Sequence, residues 1–181
     1  MKNYVNFKIR FSILIGLLIE ELKNVVRTLN GELQILKRFL KIGEPVSLAL
    51  ADIKDVEANT ILCGDRAIVL ILINNDFQGY LTKGSASFTY TAKETFKVTV
   101  NVPEGMEIRD GYEVGGGFKK IQYRKEEENV IIPVDKLDLT RQFVLTTQPD
   151  DYNFDQDGDG FSDIQEIATF STHPDNAEEH P

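Results

Sequence analysis

The feature that most constrains the fold is a change of hydrophobic period. From Pro45 to Thr147 apolar residues recur at every second position rather than every third or fourth. In "TFKVTVNV", Phe96, Val98, Val100 and Val102 fall on one side and Lys97, Thr99 and Asn101 on the other. That is the alternation of a strand with one buried face. "ASFTYTA" alternates in the same way. "RAIVLILIN" is a continuous β-branched and aliphatic run, as expected of a central strand buried on both faces. "VSLALADI", "VEANTILC", "YEV", "FKKIQYR", "NVIIPV" and "RQFVLTT" complete the set. The breaks between them carry turn chemistry: "CGDR", "NNDFQG", "PEG", "RDG" and the charged connection "KEEEN". No helix-length periodic stretch interrupts the run, which argues against a parallel α/β sheet. The pattern predicts a mainly β protein, an antiparallel β-sandwich of about eight strands.

The residues before Pro45 have a different period. Lys2, Lys8 and Arg10 precede an apolar run from Phe11 to Ile19, the layout of a secretory segment. The run is short, Glu20 and Glu21 follow at once, and no small-residue cleavage site appears. A bilayer span needs about 20 apolar residues, which this run does not supply. A membrane-surface segment is a further reading. A packed amphipathic helix fits best, because Leu14, Leu17, Leu18, Leu22, Val25, Val26 and Leu29 recur at three- and four-residue steps. Asn30-Gly31 then reads as its stop. "ELQILKRFLKI" reads as a second helix with Leu33, Leu36, Phe39 and Leu40 on one side, ended by Gly43. The helix pair is expected at one end or edge of the sandwich. The chain divides into 1–43 (helices), 44–148 (sandwich) and 149–181 (acidic tail).

The net charge of −9 is unevenly placed. The residues from Asp150 onward hold ten Asp and Glu and no Lys or Arg, which leaves 19 acids against 20 bases in the body. A nucleic-acid partner needs a basic face, so that class is excluded. Cys63 is the single cysteine and lies in an apolar segment, where it reads as a small buried hydrophobe. Gly115, Gly116 and Gly117 precede strand residues rather than a helix, so they predict a hairpin or bulge and not a phosphate cradle. Both histidines, His173 and His180, lie in the tail. Paired carboxylates for glycoside hydrolysis would come from Asp52, Asp55, Glu57, Asp65 and Glu104, which read as solvated acids. Tyr80, Tyr90, Tyr112 and Tyr123 offer either a sugar-stacking face or core and cross-strand pairs.

The tail holds the most specific chemistry. In "DQDGDGFSDIQE" oxygen ligands fall at places 1, 3, 5, 7, 9 and 12. They are Asp155, Asp157, Asp159, the Phe161 backbone carbonyl, Asp163 and Glu166, with Gly160 at the sharp turn in place 6. This fills every ligand position of the EF-hand calcium pattern, and a flexible oxygen-rich loop suits Ca²⁺. Five carboxylates so close repel one another unless a cation sits among them. Pro149 and neighbouring turn formers block a leading helix, whereas Ile164, Ile167, Ala168 and Phe170 predict a short following one. Ser162 stands at place 8, where paired EF-hands usually carry an aliphatic residue.

With the closing residues Thr172, Pro174 and Asp175, residues 153–175 resemble a bacterial thrombospondin type 3-like calcium repeat. Ser171 stands where that repeat more often has glycine. The loop is also similar to half of a dockerin, which needs two such loops where this chain has one. Residues 43–148 loosely resemble the C-terminal β-sandwich accessory domains of glycoside hydrolases. These resemblances imply an extracellular or cell-surface, non-catalytic accessory module with one structural calcium repeat, part of a larger carbohydrate-active protein. Its partners would be calcium and a polysaccharide, another domain or another protein. A carbohydrate-binding module and a glycoside hydrolase using the body carboxylates are the alternatives.

Overall fold

The computed structural model describes residues 29–82, 85–115, 119–170 and 172–179. The alternating segments pair as antiparallel strands in two sheets. One sheet has the order β1 (Gly43–Val46), β3 (Val56–Cys63), β4 (Ala67–Asn74), β11 (Thr140–Thr146), β8 (Asp110–Val114). The other has β2 (Ala49–Ala51), β7 (Lys93–Asn101), β10 (Asn129–Leu137), β9 (Arg124–Glu126). A hairpin of β5 (Phe77–Thr82) and β6 (Ser85–Tyr90) belongs to neither. The sheets bury facing residues of alternating parity: Ile68, Leu70, Leu72, Phe143 and Leu145 meet Phe96, Val98, Val100, Val130, Ile132 and Val134. The expected sandwich is therefore present, with eleven strands among the described residues.

Three segments differ from the sequence expectation, each for a local reason. "VSLALADI" is not one strand. The chain crosses between sheets there, leaving β1 in one and β2 in the other. The buried Thr60 hydroxyl makes the crossing possible, accepting from the Leu48 N–H (3.0 Å) and donating to the Val46 carbonyl (2.5 Å). "FQG" is strand rather than turn. The buried Asn74 side chain holds the turn just before it, donating to the carbonyls of Thr91 (2.8 Å) and Asp138 (2.7 Å) and accepting from the Asp76 N–H (3.0 Å). Within "FKKIQYR", Lys120 makes an isolated bridge to Tyr112 and Arg124 opens the short β9, and the charged "KEEEN" forms the tight turn between β9 and β10.

Residues 29–40 form helix α1. The expected first helix lies almost wholly outside the described residues. Asn30-Gly31 does not stop a helix: both residues are helical. Gly31 has a different use, since a Cβ there would collide with Ile167 Cγ2 of the tail. That close approach sets the buried stripe at Gly31, Ile35, Leu36 and Phe39, and turns Leu33 and Leu40 outward, contrary to the expected stripe. Nor does α1 sit at an end or edge. It covers the outer face of the five-stranded sheet, where Ile35, Leu36 and Phe39 join Cys63, Ala67, Val69, Tyr112, Val114 and Val144. Strand β4 is thereby buried on both faces, as its run of apolar residues requires. Cys63 is a fully buried hydrophobe, as expected.

Thr60 gives the fold its sharpest local test. Thr60→Val keeps the shape but leaves the half-buried Leu48 N–H and Val46 carbonyl without the hydroxyl, so urea unfolding should show a loss of about 2 kcal/mol. Thr60→Ser should retain most of the stability. Equal losses in the two variants would remove the hydroxyl from the account.

Candidate metal centre

The tail leaves β11 and makes a short 3-10 turn, Asp151–Asn153, before the loop. The loop is then shaped by its own aspartates. Asp155 accepts from the N–H groups of Gly158 (2.7 Å) and Gly160 (3.0 Å), one on each oxygen. Asp157 accepts from the Asp159 N–H (3.2 Å), and Asp159 from the Phe161 N–H (2.8 Å). Gly160 adopts φ +99°, a conformation that side chains resist. The ends of the loop are tied by the Asp163 N–H to the Phe154 carbonyl (2.9 Å) and the Gln156 N–H to Asp163 Oδ1 (2.9 Å).

This winding brings one carboxylate oxygen each from Asp155, Asp157 and Asp159 within 4.8 Å of one another. Glu166, from the turn after the loop, feels the negative charges of Asp157, Asp159 and Asp163. It is 0% exposed, and its Oε1 accepts from the Thr172 hydroxyl (3.3 Å). Its Oε2 and Asp157 Oδ2 are buried without a hydrogen-bond partner. Buried carboxylate oxygens without donors are costly, and a cation satisfies several at once. Asp163 lies outside the mutual cluster of three, engaged with the Gln156 N–H. Phe161 meets Phe170 edge-on, with ring centroids 5.3 Å apart, so its side chain serves packing.

The electrostatics follow from this crowding. The Gly160 N–H, with those of Gly158 and Asp159, holds the Asp155 carboxyl below its ordinary range. Burial pushes the Asp163 carboxyl up, against the Gln156 N–H and the charge of Arg38. Burial, then the negative charge of Asp157, pushes Glu166 up to about 7. A helical turn, α2 (Asp163–Gln165), follows the loop and continues as a π-helical turn, Glu166–Phe170, which carries the last of the candidate ligands, Glu166. Ser162 is its N-cap: the Ser162 N–H donates to Gln165 Oε1 (3.0 Å) and the Gln165 N–H to Ser162 Oγ (3.3 Å). The serine at place 8 therefore starts a helix.

A second cluster, which the sequence did not disclose, fixes the loop to the body. Asp151 is 4% exposed. Its carboxylate accepts from Arg66 Nη2 (2.6 Å) and from the Thr146 hydroxyl, and its backbone carbonyl accepts from Arg38 Nη2 (2.6 Å). Arg38 also donates to the Tyr112 hydroxyl (3.2 Å) and lies over the Phe154 ring, 4.3 Å from its centroid. Tyr112 is core, its phenol pushed up to about 12 mainly by burial.

The other sequence candidates are scattered. Asp52, Asp55, Glu57, Asp65 and Glu104 are all exposed. Asp52 borders a groove beside Arg141, Asp65 one beside Arg66, and Glu104 one beside Lys125. Tyr112, Tyr123 and Tyr90 do not form one face: Tyr112 is buried on the outer side of its sheet, Tyr123 packs against the inter-sheet core, and Tyr90 is on the hairpin. Gly115 adopts φ +100° directly after β8, and a Cβ there would crowd Glu32 of α1 at 2.5 Å.

No protein-family model matches the chain, and no curated protein matches it. Among solved structures, it is similar to α-L-fucosidase isoenzyme 2 from Paenibacillus thiaminolyticus, at 11% identity and a TM-score of 0.41 over 56% of this chain and 15% of that one. It is also similar to a cycloisomaltooligosaccharide glucanotransferase of a Paenibacillus species complexed with cycloisomaltoheptaose, at 9% identity and a TM-score of 0.49 over 68% of this chain and 21% of that one. The chain thus spans about a fifth or less of either enzyme, and likeness at this level says nothing of activity. No helix among the described residues is long and apolar enough to cross a membrane. Fold and site together define a mainly β sandwich carrying a carboxylate-lined loop.

The raised Glu166 gives a pH test with a definite sign. Without a cation, the folded tail holds this proton more tightly than the unfolded chain does. The stabilisation is complete below the unfolded value and is lost as pH rises through about 7. In chelator, the methyl resonances of Ile164 and Ile167 should broaden across that range. With excess calcium they should stay sharp, because the cation replaces the proton. A tail equally ordered in chelator on both sides of pH 7 would contradict this.

Proposed function

We propose that the loop Asp155–Glu166 binds one calcium ion, and that the β-sandwich carrying it is a non-catalytic accessory module working outside the cytoplasm. The observation that carries this reading is the convergence of Asp155, Asp157 and Asp159, together with a fully buried Glu166 whose Oε2 has no hydrogen-bond partner. The cation would be held by Asp155, Asp157, Asp159, the Phe161 carbonyl, Asp163 and Glu166. Its chemistry is charge neutralisation: it replaces repulsion among carboxylates with shared coordination and so fixes the tail. A flexible set of carboxylates and a carbonyl favours Ca²⁺ over Mg²⁺, which demands near-ideal octahedral geometry. A single open loop is a weak site, about 10⁻⁴–10⁻³ M, filled where calcium is millimolar. That range is the physical support for an extracellular setting.

The thrombospondin type 3-like character of residues 153–175 belongs to this proposal, as does a place beside a carbohydrate-active domain in a longer protein. A polysaccharide partner has one observation in its favour. Phe77 and Tyr90 face each other across the β5–β6 hairpin and are 50% and 45% exposed.

Titration calorimetry should detect calcium binding in that affinity range. Asp157→Ala should abolish the heat while circular dichroism shows the sandwich intact. No heat, together with unchanged protease resistance of the tail at millimolar calcium, would overturn the proposal.

A further inference from the structure

An EF-hand loop is ordinarily held between a leading and a following helix, and here Pro149 and the turn at Asp151–Asn153 stand where the leading helix would be. The structure assigns that missing role to α1: calcium occupancy of the loop and docking of α1 on the sandwich are one linked equilibrium, with Arg38 and Gly31 as its positioning residues. The inference rests on the calcium reading above and goes beyond it by naming what the cation controls.

Contacts at both ends of the loop carry it. At the leading end, Arg38 of α1 lies over Phe154, the residue just before the first ligand, 4.3 Å from its ring centroid. The same guanidinium holds the Asp151 carbonyl at 2.6 Å and acts on the ligand Asp163 through its charge. At the following end, Gly31 leaves room for Ile167, the residue next to the ligand Glu166. Between them, Ile164 is buried in the same cluster as Ile35, Leu36 and Phe39. Helix α1 therefore touches the chain just before the first ligand and just after the last. The cation fixes the spacing of those two points, so it selects the arrangement that α1 fits. Linkage then requires the reverse: whatever holds α1 in place raises calcium affinity by the same factor.

Hydrogen exchange of the full chain tests this, in excess calcium and in chelator. Calcium should slow the α1 amides by about tenfold, within the ordinary range of coupling between sites, and leave β7 and β10 unchanged. Arg38→Met keeps a long apolar stem over Phe154 but removes the donors and the charge. It should weaken calcium binding by a similar factor, about tenfold, with every ligand intact. Gly31→Ala, which presses on Ile167, should weaken calcium binding in the same direction and covers the case that the arginine variant fails to fold. A merely structural role for Arg38 would lower stability without making α1 exchange respond to calcium in the unaltered chain. If calcium binds while α1 exchanges at one rate in both conditions and either variant binds as tightly as the original, the inference fails and the calcium reading stands. If the unaltered chain shows no calcium heat at all, both fall.

Discussion

The buried carboxylate of Asp151 is the interaction on which the rest of the arrangement depends. It lies where α1, the five-stranded sheet and the tail meet, at 4% exposure. An isolated buried carboxylate is untenable, and this one is answered by Arg66 from the turn between β3 and β4 and by Thr146 at the end of β11. Arg38 reaches the backbone of the same residue from 113 positions away. Such a cluster contributes little net stability compared with an apolar replacement, but it specifies one geometry, because breaking a member strands the others. It directs the tail back over the outer face of the sheet, where Ile164 joins α1 in the cluster that covers β4.

The acidic loop is then part of the body rather than a thread hanging from it. Ile164 enters the cluster that buries Phe39, and Glu166 is enclosed. The carboxylates are crowded because the backbone turns of Asp155, Asp157 and Asp159 aim one oxygen of each at a common point. Repulsion at that point weakens the tail, and the proposed cation would turn the same carboxylates into its tether. Fixing the tail on the sandwich is the role proposed for the loop.

Local pattern made the sandwich and the loop legible in the sequence. The alternation of Phe96, Val98 and Val100 could only serve a sheet with one buried face. The order of acids in "DQDGDGFSDIQE" could only place them around a turn. What remained hidden depends on partners far along the chain. Asn30-Gly31 has the composition of a helix stop, and only the position of Ile167 shows that the glycine is needed for close approach. Thr60 and Asn74 look like ordinary polar residues until their hydrogen bonds to chain crossings and turns are seen. Asp151 reads as one more acid in an acidic tail, because Arg38 and Arg66 lie too far away in sequence to be matched to it. Ser162 carried a readable signal, since the pair Ser162 and Gln165 is a capping box, but its place in the loop pattern drew attention to ligand spacing instead.

A crystal structure of the full chain grown in calcium tests the central claim most directly. The account predicts one ion inside the loop, with oxygens of Asp155, Asp157, Asp159, the Phe161 carbonyl and Glu166 at about 2.3–2.6 Å, and Asp163 bound directly or through water. A loop holding only water, with Glu166 still turned to Thr172 and no ion among the three aspartates, would contradict it.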